Sequence, residues 1–201
     1  MNLRAFLATG IVTFAALTAP AQAAVIDIVE QPGAGAGSLI GSAQVTSPGG
    51  AVINSISGTL DPLGDIDLYA INVSGNFFAT TSGSLAADLG LWLFDRNGRG
   101  VEWAQGNTFD GGTTPQAILS LTNVTSGLYF LAVGRALNTP FDAGGNAIFD
   151  FSLTGPLSLD PLASWVFDEG GGNIDRESAY RIIFEVGAFG VPEPATGALL
   201  G

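Results

Sequence analysis

The side chains of this 201-residue chain that are best equipped for chemistry are carboxylates. Asp61, Asp65 and Asp67 fall within one short stretch, Asp61-Pro62-Leu63-Gly64-Asp65-Ile66-Asp67. Calcium takes several carboxylate and carbonyl oxygens from a flexible loop, and aspartates at this spacing could supply part of such a set. The same stretch also reads as an ordinary turn, because Asp favours turn entry and Pro fixes the residue that follows. Both readings stand at the level of sequence. A carboxylate pair could run glycoside hydrolysis, but eighteen Asp and Glu make some pair inevitable, so pairing alone carries no information. Trp92, Trp103 and Trp165 would suit sugar rings if exposed in a row, whereas side chains of this kind are more often buried.

What the chain lacks excludes more. There is no cysteine, so disulfides, thiolate metal sites and cysteine nucleophiles are ruled out, and burial must hold the fold. There is no histidine, which removes the usual general base of hydrolases and the commonest transition-metal ligand. No catalytic residue is expected, and the chain reads as a non-enzyme. All six basic residues are arginines, and the net charge of −12 argues against nucleic acid as a partner. With 47% apolar residues and thirteen phenylalanines the chain is not a disordered acidic segment.

These residues must be positioned by strands. Between 25 and 186 short β-branched and aromatic runs alternate with Gly, Asn, Asp, Pro and Ser clusters, the mark of an all-β sandwich or barrel. Strands are expected at 51–57, 66–73, 77–81, 89–94, 117–121, 128–133, 147–153 and 180–186. Period-two alternation gives apolar faces in Tyr129, Leu131 and Val133, in Phe149, Phe151 and Leu153, and in Tyr180, Ile182, Phe184 and Val186. Asn97-Gly98 between two strand patterns predicts a hairpin, and Thr125-Ser126-Gly127 predicts another tight turn. Gly144-Gly145 and Gly170-Gly171-Gly172 read as loop tips, since no helix follows to make a phosphate site.

The two ends differ from this domain. Arg4 supplies a positive start, 5–19 is nearly free of polar groups, and Ala21-Gln22-Ala23 offers the small-x-small site of a signal peptidase, placing cleavage between Ala23 and Ala24. The apolar run is too short to span a bilayer and Pro20 stops it. At the other end, Val191-Pro192-Glu193-Pro194-Ala195-Thr196 fixes φ at two prolines and removes two backbone donors, so an exposed, extended segment outside the packed domain is expected. The expected division is a signal peptide at 1–23, a β-sandwich domain at 24–188 and a C-terminal tail at 189–201.

The string Val191, Pro192, Glu193, Pro194, Ala195 resembles the PEP-CTERM sorting signal of Gram-negative bacteria, in which this motif precedes a transmembrane helix and an arginine-rich tail. The resemblance implies a protein exported through the inner membrane to the cell envelope or beyond. An exosortase-type membrane enzyme would act on the motif, and an extracellular polysaccharide becomes an expected partner. The apolar run from Ala195 stops at Gly201, so the sorting segment reads as cut short. A second resemblance lies in the middle of the chain. Asp65-Ile66-Asp67-Leu68-Tyr69, Leu91-Trp92-Leu93-Phe94-Asp95-Arg96-Asn97-Gly98 and Gly127-Leu128-Tyr129-Phe130-Leu131-Ala132-Val133 follow in the order seen in the bacterial pre-peptidase C-terminal domain. That resemblance implies a jelly-roll-like antiparallel β-sandwich and, in some relatives, calcium at the acidic residues. The function expected is a non-enzymatic surface or matrix protein, the alternative being a carbohydrate- or calcium-binding module.

Overall fold

The computed structural model describes residues 23–32, 35–61, 64–82, 84, 89–106, 116–136, 138–150, 155–167 and 178–192. The expected signal helix with Ala21, and the tail from Glu193 through Pro194 and Ala195 onward, lie outside the described residues. The rest is all-β, with one short 3₁₀ turn at Ile40–Ser42. The strands are β1 (Val25–Val29), β2 (Gln44–Val45), β3 (Val52–Leu60), β4 (Ile66–Thr80), β5 (Leu89–Asp95), β6 (Gly100–Gln105), β7 (Ile118–Arg135), β8 (Asn138–Asp142), β9 (Leu162–Phe167) and β10 (Ser178–Phe189).

The main sheet runs β1-β3-β10-β4-β7-β5-β6, with β2 attached to β4, and β8 and β9 form a separate pair. Pairing is mostly antiparallel, but β1 lies parallel to β3 and β2 parallel to β4, so the expected antiparallel architecture is corrected to a mixed one. The expected strand at 147–153 is also corrected. Ala147 and Phe149 form isolated bridges to Phe141 and Pro156, while 151–154 lie outside the described residues.

Two further expectations change for one physical reason. The runs at 66–73 and 77–81 are a single strand, β4, and those at 117–121 and 128–133 are a single strand, β7. Thr125-Ser126-Gly127 is therefore no turn. Val73 pairs with Gly127, Gly75 with Val124 and Phe77 with Leu121, so β7 twice inserts an extra residue opposite β4. These are β-bulges, which bend a strand without ending it. Asn123 and Gly75 take left-handed φ of 57° and 74° there. β10 loses register against β4 beside the same place, around Gly187, whose φ is 84°. A Cβ on Gly187 would collide with the Asn76 carbonyl oxygen, so this crossing needs glycine.

The bend folds the sheet over itself. Ile183 pairs with Thr80, so in a flat sheet Tyr180 and Tyr69 would stand roughly 45 Å apart at about 3.3 Å per residue. Their hydroxyls nevertheless touch. Only a sheet doubled back along the bulges brings them together, which makes the molecule sandwich-like.

Both faces of the central strands are buried. One face of β4, β5 and β7 puts Tyr69, Ile71, Leu91, Leu93, Leu131 and Val133 into the core between the two halves. The opposite face puts Leu68, Trp92, Phe94, Phe130 and Ala132 beneath the β8–β9 pair and its loops. Strands covered on both sides carry apolar residues on both faces, so Phe130 and Ala132 fill the positions between Tyr129, Leu131 and Val133, and Leu91–Phe94 is apolar throughout. The expected hairpin is present, with Gly98 N donating to Asp95 O at 2.9 Å and Asp95 Oδ1 accepting from Asn97 N and Arg99 N at 2.8 and 3.0 Å. Of its two turn residues only Gly98 has positive φ, at 80°.

Candidate functional site

The three expected aspartates meet at one end of the sandwich, where β1 and β3 finish and β4 begins. They line a groove of about 580 Å³ with Glu30, Gly35, Gly58 and Thr59. Glu30 was not among the sequence candidates, because it lies 31 positions before Asp61 and only the parallel pairing of β1 with β3 brings it there. Gly58 lets it approach: Glu30 Oε2 and the Tyr180 hydroxyl both pack over the Gly58 α-carbon where any side chain would sit.

Asp65, Glu30 and Asp67 each already have a protein donor. Asp65 Oδ2 accepts from Asp61 N at 2.8 Å. Glu30 Oε2 accepts from Thr59 N at 2.8 Å and so continues the pairing of β1 with β3 beyond the end of β1. Asp67 Oδ2 accepts from the Tyr180 hydroxyl at 2.7 Å, and Ala36 N donates to the same carboxylate. Since Tyr180 donates to Asp67, its oxygen accepts from Tyr69, giving a buried relay Tyr69 to Tyr180 to Asp67 across the two halves of the sheet. Among the described residues no three Asp, Glu, His or Cys side chains gather closely enough to hold a metal ion. The Asp65 carboxylate is engaged by the Asp61 amide, and Asp67 serves the interior.

Burial dominates the electrostatics of this relay. Asp67 is 2% exposed, and desolvation pushes its carboxyl up to about 7; the Tyr180 hydrogen bond opposes this, Glu30 and Asp65 add repulsion, and the Ala36 amide opposes it again. Desolvation likewise raises the Tyr69 and Tyr180 hydroxyls well above the usual phenol range. Asp142 shows the opposite case. Its carboxylate accepts from Ser158 Oγ at 2.6 Å and from Asn146 N at 2.9 Å, which holds it down at about 2 and closes the Gly144-Gly145 turn.

The tryptophans do not form an exposed row. Trp92 is fully buried, pairs across strands with Trp103 and meets Trp165 edge-on at 5.2 Å. Trp103 and Trp165 pack partly buried against the same cluster, and Trp165 Nε1 donates to Ser38 O at 2.8 Å. They join the main sheet to the β8–β9 pair.

The segments that flank the domain are tightly held. Ala23 and Ala24 are exposed, and Ala24 O accepts from Val52 N at 2.7 Å, so β1 starts directly after the expected cleavage site. At the other end Gly190 N donates to Ala51 O at 2.8 Å and Val191 N to Thr46 O at 2.5 Å, and Pro192 packs over Gly49. The expectation that Val191 lies outside the packed domain is thus corrected, because backbone pairing with 46–51 holds the chain as far as Val191. Neither a protein-family model nor a curated protein matches this sequence.

Proposed function

We propose that this chain is an exported, non-enzymatic protein of the bacterial cell envelope or extracellular matrix, sorted through its Pro192-Glu193-Pro194 string and associated with extracellular polysaccharide. The observation that carries the reading is the placement of the two processing strings. The small-x-small site ends at Ala23, one residue before the first backbone bond of the sheet, and the Pro-Glu-Pro string begins three residues after β10 ends. A domain bracketed this closely has the form of cargo between two membrane-directed signals.

The jelly-roll-like reading of the sandwich has its own support. The three stretches resembling the pre-peptidase C-terminal domain lie on β4, β5 and β7, which are neighbours in the sheet, with Tyr69 and Leu93 both opposite Leu131. Against a sugar-stacking site stands the inward packing of all three tryptophans.

The test is secretion in a Gram-negative host with an exosortase-type enzyme. The exported protein should begin at Ala24, and in a gene product whose apolar run continues past Gly201 to a membrane span, Glu193→Ala should accumulate unprocessed at the inner membrane with its fold unchanged. Recovery of intact Met1 outside the inner membrane, or a Glu193→Ala variant released like the parent, would refute the reading.

A further inference from the structure

The two halves of the doubled sheet are covered unequally. The outer face of the half that contains β5 lies beneath the β8–β9 pair. On the other half, Ile183, Thr80 and Ile118 form one row across β10, β4 and β7, and Val186, Phe78 and Ser120 form the next. These side chains point outward, because their chain neighbours Ile182, Phe184, Phe77, Ala79, Ala117 and Leu119 fill the core. Ile118 is 51% and Val186 50% exposed, and Phe78 and Ile183, half-buried by their neighbours, belong to neither core cluster.

Val186 reaches this face through the bulge in β10. The alternation of Tyr180, Ile182 and Phe184 would carry Val186 into the core. Phe184 pairs with Ala79 and Val186 with Phe78, however, so Glu185 is an extra residue and Val186 turns outward beside it. Contiguous exposed apolar side chains rimmed by polar ones mark a surface that another molecule covers.

The charges on the face identify that molecule. Arg181 and Glu185 are both exposed and stand on β10 on either side of Ile183. Arg181 Nη2 donates to Ser55 Oγ at 3.3 Å on the same face. Asp27, two strands out from Ile183 on the same row, is bonded to Asn54 and Ser55 and lies near Arg181 at the rim. A two-fold axis lying in the plane of the face, perpendicular to β10 and along the Ile183–Thr80–Ile118 row, reverses β10 in a second molecule. Ile183 and Ile118 then each meet their own counterparts, and Arg181 of each molecule stands over Glu185 of the other. The face is complementary to itself in charge as well as in apolar surface.

We propose that a second copy of this chain covers this face, giving a two-fold dimer in which the two β10 strands run antiparallel across the interface. The pairing does not depend on how the chain is sorted, and its failure would leave the proposed function standing.

Sedimentation equilibrium of the chain from Ala24 onward, which holds every strand, tests it. The expected result is a mass that rises to twice that of one chain, and no further, between micromolar and submillimolar protein. Ile118→Lys changes a half-exposed side chain outside the core and sets like charges face to face at the axis. It should give a monomer with an unchanged unfolding midpoint. Glu185→Arg sets Arg against Arg and should weaken association by about tenfold or more, while Arg181→Glu combined with Glu185→Arg should restore it. A parent that stays monomeric overturns the proposal and leaves the face to a different partner, and assemblies larger than the dimer overturn it as well. A dimer that survives Ile118→Lys overturns the choice of face. A double variant that associates no more tightly than Glu185→Arg overturns the two-fold arrangement.

Discussion

Replacing Asp67 with Asn should flatten the pH dependence of stability. A buried carboxyl whose folded-state value is raised from 3.8 to about 7 binds its proton more tightly when folded. Its stabilising contribution is complete below about pH 4, falls as pH rises toward 7 and is gone above it. At about 1.4 kcal/mol for each pH unit, the whole span corresponds to about 4 kcal/mol, of which about 3 kcal/mol falls between pH 5 and pH 8. Self-repulsion of this acidic chain adds a general loss over the same range, so the informative quantity is the difference between parent and variant. Urea unfolding of the chain from Ala24 onward at about pH 5 and about pH 8 supplies it. The Asn side chain still accepts from Tyr180 and cannot ionise, so the variant should lose less by about 3 kcal/mol. Equal losses in the two proteins would refute the assignment of this titration to Asp67. Tyr180→Phe removes the donor that favours the ionised carboxylate and leaves Tyr69 without its acceptor. It should cost about 1–3 kcal/mol and move the loss to higher pH.

Gly187→Ala should destabilise by on the order of 2–4 kcal/mol, measured by thermal or urea unfolding, because a Cβ there meets the Asn76 carbonyl at a φ of 84°; an unchanged midpoint would show that the fold line is not held there. Trp92→Ala should cost about 3–5 kcal/mol through the cavity left between Trp103, Trp165 and Phe94, and should loosen the β8–β9 pair before the main sheet, as read by amide exchange. Acidification should destabilise the protein below about pH 4, since hydrogen bonds hold the carboxylates of Asp142 and Asp27 below their ordinary value. Asp142→Asn should blunt that acid limb in the same unfolding assay.

Much of the architecture was legible in the sequence because strand formation follows local alternation and turn chemistry. The hairpin at Asn97-Gly98, the turn at Gly144-Gly145 and the apolar runs of β4, β5 and β7 depend on residues a few positions apart. Local rules also explain the failure at Thr125-Ser126-Gly127. Gly after two small polar residues suits a bulge as well as a turn, and only the pairing with Val73 and Gly75 decides between them. The site was legible only in part. Asp61, Asp65 and Asp67 stand together in the chain, so their meeting was visible, but Glu30 joins them through β1–β3 pairing and Tyr180 through the folding of the sheet. The sequence by itself determined residue chemistry: the absence of cysteine, histidine and lysine, the acidic charge, and the small-x-small and Pro-Glu-Pro strings on either side of the domain. The tertiary structure alone decided that Asp67 faces Tyr180 in the interior, that the tryptophans pack inward, and that Ala24 and Gly190 flank the same strand. Each of these joins residues far apart in the chain, and the energy selecting them comes from burial across a doubled sheet, to which no local window of sequence is sensitive.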